Sequence, residues 1–470
     1  MEAPPRMDNL ADGRGQPETI VAVSTPPGRG GIGVVRLSGP EALAVAATLV
    51  WCSAPLEQAR ARFGQVLDGS GGVLDEALVT AFFAPHSYTG EDLVEIAAHG
   101  SPVVLEAIVR GALAAGARLA GPGEFTQRAF LAGRLDLTQA EAVQDLIAAQ
   151  TLDQARVAAQ QLGGALSRRV APAKETLLRL IAWLEAGMDF APGELDDVEL
   201  VPPAEIAASI EGAATVLAEL AGSFARGRLL REGAAIALVG PPNAGKSSLF
   251  NRLLERERAI VTAMPGTTRD TVEESMALGG VPLRLIDTAG LRAAAESESR
   301  EVDEAERIGM ARTREALADA DLVLLVHDAT EAVTAEELRL AAALKGRPHL
   351  RVENKIDLLT APGSTAPGVI PTSALTGEGL DALRTAILAL LGAEGSIANT
   401  AALNTLRQRE AVTAALTSLR AAADANTAGL PHELILVDLH AALAALDSLT
   451  GTTTAEDILG RIFSTFCIGK

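Results

Sequence analysis

Apolar and polar positions change rhythm several times along the chain, and each change predicts a different kind of structure. Between residues 20 and 133 short apolar runs alternate with turn residues. Ile20 to Val23, Gly33 to Leu37, Glu76 to Phe83 and Asp92 to Ala98 read as strands, and Val103 to Leu113 as a helix. From Leu137 to about Leu230, Ala, Leu, Gln and Glu recur at helical spacing, with breaks near Gly163-Gly164 and from Asp189 to Gly193. Alanine-rich helices of this kind pack closely in bundles. Strand-like runs return at Ala235 to Val239, Leu283 to Ile286, His349 to Val352 and Gly368 to Pro371. Helical texture then resumes over Ala402 to Ala423, His432 to Leu446 and Thr453 to Ile462. The pattern predicts a multidomain protein of α/β and α class. Its parts are a disordered lead-in (1–19), an N-terminal α+β domain (20–133), a helical domain (134–232 and 392–470) and an α/β domain (233–391) inserted between the helical halves. Three independent domains in series are the alternative. No internal repeat is visible.

The inserted domain carries the densest chemistry. Gly240-Pro241-Pro242-Asn243-Ala244-Gly245-Lys246-Ser247 reads G-x-x-x-x-G-K-S, between a strand-like run and a helix-like run beginning at Ser248. In that context the loop N–H groups and the helix N-terminus cradle phosphates. Lys246 is then expected to reach the β- and γ-phosphates, and Ser247 to hold Mg²⁺. Asp287-Thr288-Ala289-Gly290 ends a strand, where Asp287 can reach the Mg²⁺ shell and the Gly290 N–H can sense the γ-phosphate. Thr268, in Gly266-Thr267-Thr268-Arg269, is the expected second Mg²⁺ ligand. Asn354-Lys355-Ile356-Asp357 follows another strand. A carboxylate there accepts two hydrogen bonds from guanine and rejects adenine, which lacks the donor pair. Ser373-Ala374, followed by Leu375, offers a backbone N–H to the guanine O6. Each short motif alone is weak. Four in order at these spacings point to a Ras-like P-loop GTPase.

Two details depart from the Ras pattern. Leu291 follows Gly290 where a glutamine would orient water, so another group must do so. Glu306 is the candidate, set against a solvated helix face shared with Glu298, Glu301, Asp303 and Glu304. No arginine finger is evident. A bound K⁺ could substitute, with the Asn243 side chain and backbone carbonyls between Thr262 and Thr267 as ligands.

Composition narrows the remaining classes. The chain has 470 residues, of which 48% are hydrophobic and only 3% aromatic, so sizeable cores must be built from aliphatic side chains. No apolar run approaches the ~20 residues of a membrane span. Residues 1–19 lack an apolar signal core and the Arg-rich pattern of a transit peptide. The two cysteines, Cys52 and Cys467, are far apart and point to neither a disulfide framework nor a zinc site, which suits a reducing cytoplasm. A net charge of −20 argues against a self-sufficient nucleic-acid binder. Arg168-Arg169, Arg226 to Arg231, Arg407 and Arg409 are local basic patches, or ordinary helix-surface charge.

From about Thr19 to Lys470 the chain resembles the MnmE (TrmE) family of tRNA-modifying GTPases. The similar segments include Thr25-Pro26-Pro27-Gly28-Arg29-Gly30-Gly31, Tyr88-Thr89-Gly90-Glu91-Asp92, Gly121-Pro122-Gly123-Glu124-Phe125-Thr126-Gln127-Arg128 and Leu459-Gly460-Arg461-Ile462-Phe463-Ser464-Thr465-Phe466-Cys467-Ile468-Gly469-Lys470. The GTPase motifs above, with Ser248, also look like the family. The resemblance implies a homodimer formed through a tetrahydrofolate-binding-like N-terminal domain. It also implies a flavoprotein partner, MnmG, which carries FAD. Together they would place an aminomethyl or carboxymethylaminomethyl group on C5 of the wobble uridine of certain tRNAs. A 5,10-methylene- or 5-formyl-tetrahydrofolate would supply the carbon. By the same resemblance Arg36, Glu95, Arg134 and Lys470 match folate-contacting positions. Asn243, Thr262, Met264 and Thr267 match the K⁺ site, and Glu306 the water-orienting acid. The segment from Arg292 to Glu306 is longer than the family pattern, and Glu301 or Glu304 could take that role. The rival from another class is a GTPase switch in ribosome assembly, which would lack the folate-type domain and the Cys467 terminus. A folate-dependent transferase acting alone is a further alternative, and the missing dinucleotide fingerprint argues for a partner instead.

Overall fold

Side chains alternate across the first strands, so neighbouring residues serve opposite faces of one sheet. Strands β1 (Ile20–Val23) and β2 (Gly30–Ser38) are followed by helix α1 (Ala42–Leu49), β3 (Val50–Cys52), β4 (Arg62–Leu67), β5 (Val73–Phe82), β6 (Leu93–Gly100), α2 (Pro102–Ala114) and β7 (Arg118–Leu119). The strands form a seven-stranded sheet in the order β3-β4-β5-β6-β2-β1-β7. β1 and β7 run parallel, and the other neighbours antiparallel. Val35, Leu37, Val79 and Ile96 pack with Val45 and Leu49 of α1 and Leu105 and Ile108 of α2. On the opposite face Arg36, Glu95 and Thr80 are register partners across β2, β6 and β5. Helix α3 (Glu124–Leu131) contributes Phe125, which clusters with Ile20, Ala22 and Tyr88.

The computed structural model describes residues 18–188, 201–257, 273–287, 317–360, 368–393, 401–452 and 456–469. Its internal contacts divide the chain into two units, Met1–Gln144 with Thr450–Lys470, and Asp145–Leu449. The boundary falls within helix α4 (Leu137–Ala148). The proposed lead-in, except Glu18 and Thr19, lies outside the described residues.

In the second unit, α5 (Leu152–Leu162), α6 (Ala165–Met188), α7 (Pro203–Gly222) and α8 (Phe224–Glu232) lead into the α/β part. That part comprises β8 (Ala234–Val239), α9 (Lys246–Glu257), β9 (Glu273–Leu278), β10 (Val281–Asp287), β11 (Leu322–Asp328), α10 (Ala335–Ala343), β12 (His349–Asn354), β13 (Val369–Pro371) and α11 (Leu380–Leu390). The strands form a six-stranded sheet, β13-β12-β11-β8-β10-β9, in which β9 is antiparallel to β10 and the other pairs are parallel. All six residues of β8 are buried, as a central strand covered on both faces requires. Helices α12 (Leu406–Thr427) and α13 (His432–Thr450) follow. Leu419 and Leu439 from this pair share one aliphatic core with Leu177 and Leu184 of α6 and Leu217 of α7.

The last helix, α14 (Glu456–Ser464), belongs to the first unit. There Leu459, Phe463 and Phe466 pack with Leu137 and Ala140. The chain end continues along the N-terminal sheet: Ile468 bridges to Pro122, and the Ser24 hydroxyl donates to the Gly469 carbonyl at 3.0 Å. Among the described residues no helix is long and apolar enough to cross a membrane.

Candidate functional site

The G-x-x-x-x-G-K-S segment joins the central strand β8 to α9, at the carboxyl edge of the parallel strands, where open α/β sheets form their ligand crevices. Two glycines are required there. Gly240 has φ +153°, and a Cβ on it would lie 2.1 Å from the Val326 carbonyl oxygen. Gly245 has φ +86°, and its Cβ would lie 2.2 Å from Asn354 Nδ2. Asn243 also takes a left-handed conformation, φ 63°, which asparagine tolerates better than most residues. The loop is thus pressed against β11 and β12, with its backbone free to curl around an anion. Helix α9 begins at Lys246 rather than Ser248, because Gly245 makes the turn that starts it.

Lys246 is buried, and its ammonium donates to the carbonyls of Gly240 at 3.0 Å and Pro241 at 2.7 Å. It is therefore held over the loop it serves. Ala244 is buried, while Asn243, Ser247 and Ser248 are exposed at the loop and the first turn of α9.

Asn354 ties the two halves of the site together. It is 1% exposed; its amide donates to the Ala244 carbonyl at 3.0 Å and accepts from the Ala374 N–H at 3.0 Å. One side chain thus fixes the phosphate loop to the loop after β13. Lys355, at φ 67°, donates to Asp328 at 2.5 Å. Burial pushes the Asp328 carboxyl up, but hydrogen bonds from Lys355 and Thr330 outweigh it and hold the group below the usual carboxylate range. Asp357 is exposed in the 3-10 turn Ile356–Leu358 and accepts from the Ser373 hydroxyl at 2.5 Å. The same hydroxyl accepts from the Thr376 N–H at 3.1 Å. Leu375 is exposed beside them. Asn243 to Ser248, Asn354, Lys355, Asp357, Ser373, Ala374 and Leu375 therefore gather on one edge of the sheet. Thr262, Met264, Gly266, Thr267, Thr268, Thr288, Ala289, Gly290 and Glu306 lie outside the described residues, as does the side chain of Asp287. Asp328 was not singled out from sequence; its only signal there is a carboxylate at the end of an apolar strand run.

In the first unit Arg36 and Glu95 face each other across β2 and β6, with Arg36 Nε and Nη2 donating to Glu95 Oε1 at 3.0 and 2.7 Å. The guanidinium lies 5.7 Å from the Tyr88 ring centroid and 5.6 Å from that of Phe125. Cation and carboxylate thus share a partly buried, aromatic-walled spot on the sheet face away from α1 and α2. Sequence reading did not find Tyr88 and Phe125 as its walls, though both sit in the motifs quoted above. Arg134 donates to the Pro85 carbonyl at 3.0 Å. Lys470 lies outside the described residues, but its neighbour Gly469 abuts Val23, next to Ala22, the register partner of Arg36. The Gly123 N–H donates to the Cys467 carbonyl at 3.4 Å, and Cys467 itself is exposed.

A P-loop α/β unit inserted between helices, joined to an N-terminal sheet with a charged aromatic site, defines a multidomain nucleotide-binding protein. Residues 19–134 match the family described as GTP-binding protein TrmE N-terminus, and residues 137–467 match the MnmE helical domain. The chain belongs to the MnmE family. It is 55% identical over 462 residues to the tRNA modification GTPase MnmE of Koribacter versatilis (strain Ellin345), covering 96% of this chain and 99% of that one. The protein of the same description from Chloroflexus aurantiacus (strain ATCC 29366 / DSM 635 / J-10-fl) is 45% identical over 463 residues, covering 96% and 100%. That from Aquifex aeolicus (strain VF5) is 41% identical over 456 residues, covering 96% and 100%.

Proposed function

We propose that this chain hydrolyses GTP as one component of the enzyme that modifies C5 of the wobble uridine in certain tRNAs. The modification is an aminomethyl or carboxymethylaminomethyl group, its carbon drawn from a tetrahydrofolate derivative. The observation that carries the nucleotide half is Asn354, buried between the phosphate loop and the Ser373–Leu375 loop. It ties the loop that would cradle the phosphates to the loop that would face the base, which supports a site for an intact guanine nucleotide. GTP is the substrate. Lys246 would leave the Gly240 and Pro241 carbonyls to meet its β- and γ-phosphates, and Asp357 would read the base edge. Ser247 and Thr268 would hold Mg²⁺, which neutralises charge on the phosphates. Asn243, with Thr262, Met264 and Thr267, would hold K⁺, and Glu306 would orient water.

For the folate half, support comes from Arg36 and Glu95 between Tyr88 and Phe125. A carboxylate suits the amide-like edge of a pterin, aromatic walls suit its ring, and a guanidinium suits the acidic tail. Redox chemistry would belong to FAD on the partner flavoprotein MnmG. Homodimerisation through the N-terminal domain, tRNA as substrate and a cytoplasmic location complete the reading. It is tested by mass spectrometry of tRNA nucleosides from cells with and without the gene. Loss of a C5-aminomethyl-type uridine on deletion, restored by wild type but not by Asp287→Ala, is expected. Unchanged nucleosides would overturn it in favour of a ribosome-assembly switch.

A further inference from the structure

The α/β part of the second unit is joined to the helices by two chain connections, Arg231–Gly233 leading in and Ala402–Asn404 leading out, and one carboxylate holds both. Asp145, at the end of α4, accepts from Arg231 Nε at 2.7 Å and from Asn404 Nδ2 at 3.0 Å. Helix α5 reinforces each side. Gln154 donates to the Arg231 carbonyl at 3.0 Å, and Gln161 donates to the Ala402 carbonyl at 2.9 Å while accepting from Asn404 Nδ2 at 3.1 Å. Helix α8, which ends in the first connection, also presses on the second, since a Cβ on Gly227 would lie 2.1 Å from the Leu403 carbonyl oxygen.

A third point lies on the sheet. Thr151 caps α5 by accepting from the Gln154 N–H at 3.1 Å, and its hydroxyl donates to the Gly280 carbonyl at 2.8 Å. Gly280 is the turn between β9 and β10, and β10 runs from there to Asp287, the first residue of the D-x-x-G motif. Val157 of α5 and Leu229 and Leu230 of α8 share the apolar core of β8 and β10. The polar network has slack beside this packing. Asn404 is buried, its Oδ1 has no hydrogen-bond partner among the described residues, and it lines a cavity of about 50 Å³ with Asp145, Gln154 and Arg231. A largely buried network with one unsatisfied acceptor next to free volume can re-pair without breaking the core around it.

We propose that Asp145, with Thr151 as its outlying contact, is a positioning residue that couples the nucleotide site to the helices. A shift of β10 moves the Gly280 turn against Thr151, and the Asp145 clamp passes the movement to both connections at once. This rests on the reading of the chain as a GTPase required for tRNA modification.

The test uses Asp145→Asn, Thr151→Asp and Thr151→Ser in the full-length chain. Asp145→Asn removes the charge that holds Arg231. Thr151→Asp keeps a helix cap but loses the donor to Gly280, and Thr151→Ser keeps both. GTP turnover of the purified proteins is expected to stay within about twofold of wild type, while the modified nucleoside falls about fivefold or more in Asp145→Asn and Thr151→Asp, the lower end of ordinary coupling energies. Thr151→Ser should restore it. Near-wild-type modification in the first two variants overturns the coupling. So does a parallel loss of GTP turnover and thermal stability, which marks a merely structural role. A wild-type chain that neither turns over GTP nor restores the nucleoside would instead refute the underlying functional reading.

Discussion

Glu124 shows how much one side chain can organise. It accepts from Arg118 Nη1 and Nη2 at 2.8 and 2.7 Å, from Arg128 Nη2 at 2.9 Å and from the Gly121 N–H at 2.8 Å. Burial alone would raise its pKa, but the bonds from Arg118, Gly121 and Arg128 win and bring it to about 2, below the ordinary 4.5. A carboxylate depressed in the folded state stabilises fully above its unfolded value and loses that contribution as pH falls through its folded value. The resistance of the first unit to thermal unfolding is therefore expected to fall as pH drops from 4.5 to 2, and Glu124→Gln to flatten that slope. The full shift would correspond to about 3 kcal/mol, of which solvent screening around this half-buried ion cluster leaves roughly 1–2 kcal/mol. Asp357 supports a second substitution test. Asparagine offers one acceptor and one donor where guanine presents two donors, so Asp357→Asn should raise the KM for GTP about tenfold or more in steady-state assays. The sequence names Asp357 because its motif is contiguous. It names Arg36 and Glu95 only through resemblance, because their contact spans 59 positions and exists only in sheet register.

Elements were legible where period and punctuation agree. β1 matches the run Ile20 to Val23, and Gly163 stops α5 where the break was expected. α1 was missed because Ala42–Leu49 is almost uniformly small and apolar, leaving no polar face to mark a helical period. α12 starts at Leu406 rather than Ala402, because the Thr405 hydroxyl accepts from the Gln408 N–H at 3.2 Å and caps it there. The four residues this frees, 402–405, include Ala402 and Asn404, which Gln161 and Asp145 hold. Gly227 is the matching requirement on α8. It has no sequence signal beyond a glycine inside a helical pattern, a choice that costs helix stability. Its reason is the Leu403 carbonyl, 2.1 Å from where a Cβ would stand. Gly227→Ala is expected to destabilise the second unit by about 1–3 kcal/mol despite alanine's better helix propensity, read as a lower urea midpoint. A raised midpoint would mean that the connection yields freely.

At the scale of whole molecules, the face of the N-terminal sheet that carries Arg36 and Glu95 is the surface we propose for association. Phe63 and Leu78 are register partners across β4 and β5, and Trp51 stands on neighbouring β3. They are 58%, 51% and 57% exposed, although strands normally turn such residues inward. A run of large apolar side chains on one sheet face, rimmed by Gln65 and Glu76, which are themselves register partners, has the character of an association surface. Homodimerisation, expected from the family resemblance, is the use that fits, since an isologous interface needs a single self-complementary patch. Sedimentation velocity of the wild-type chain should then show a dimer at micromolar concentration. Phe63→Glu would place a charge at the patch centre, in Coulomb conflict with its copy across a two-fold axis, and should weaken association about 100-fold or more. Val79 and Ile96, which face the opposite side, stay buried in either state, so the far-ultraviolet circular dichroism of the variant should match wild type. A variant that remains dimeric at submicromolar concentration would move the interface to another surface. A wild-type monomer would leave the GTPase assignment intact and remove the N-terminal sheet from the assembly.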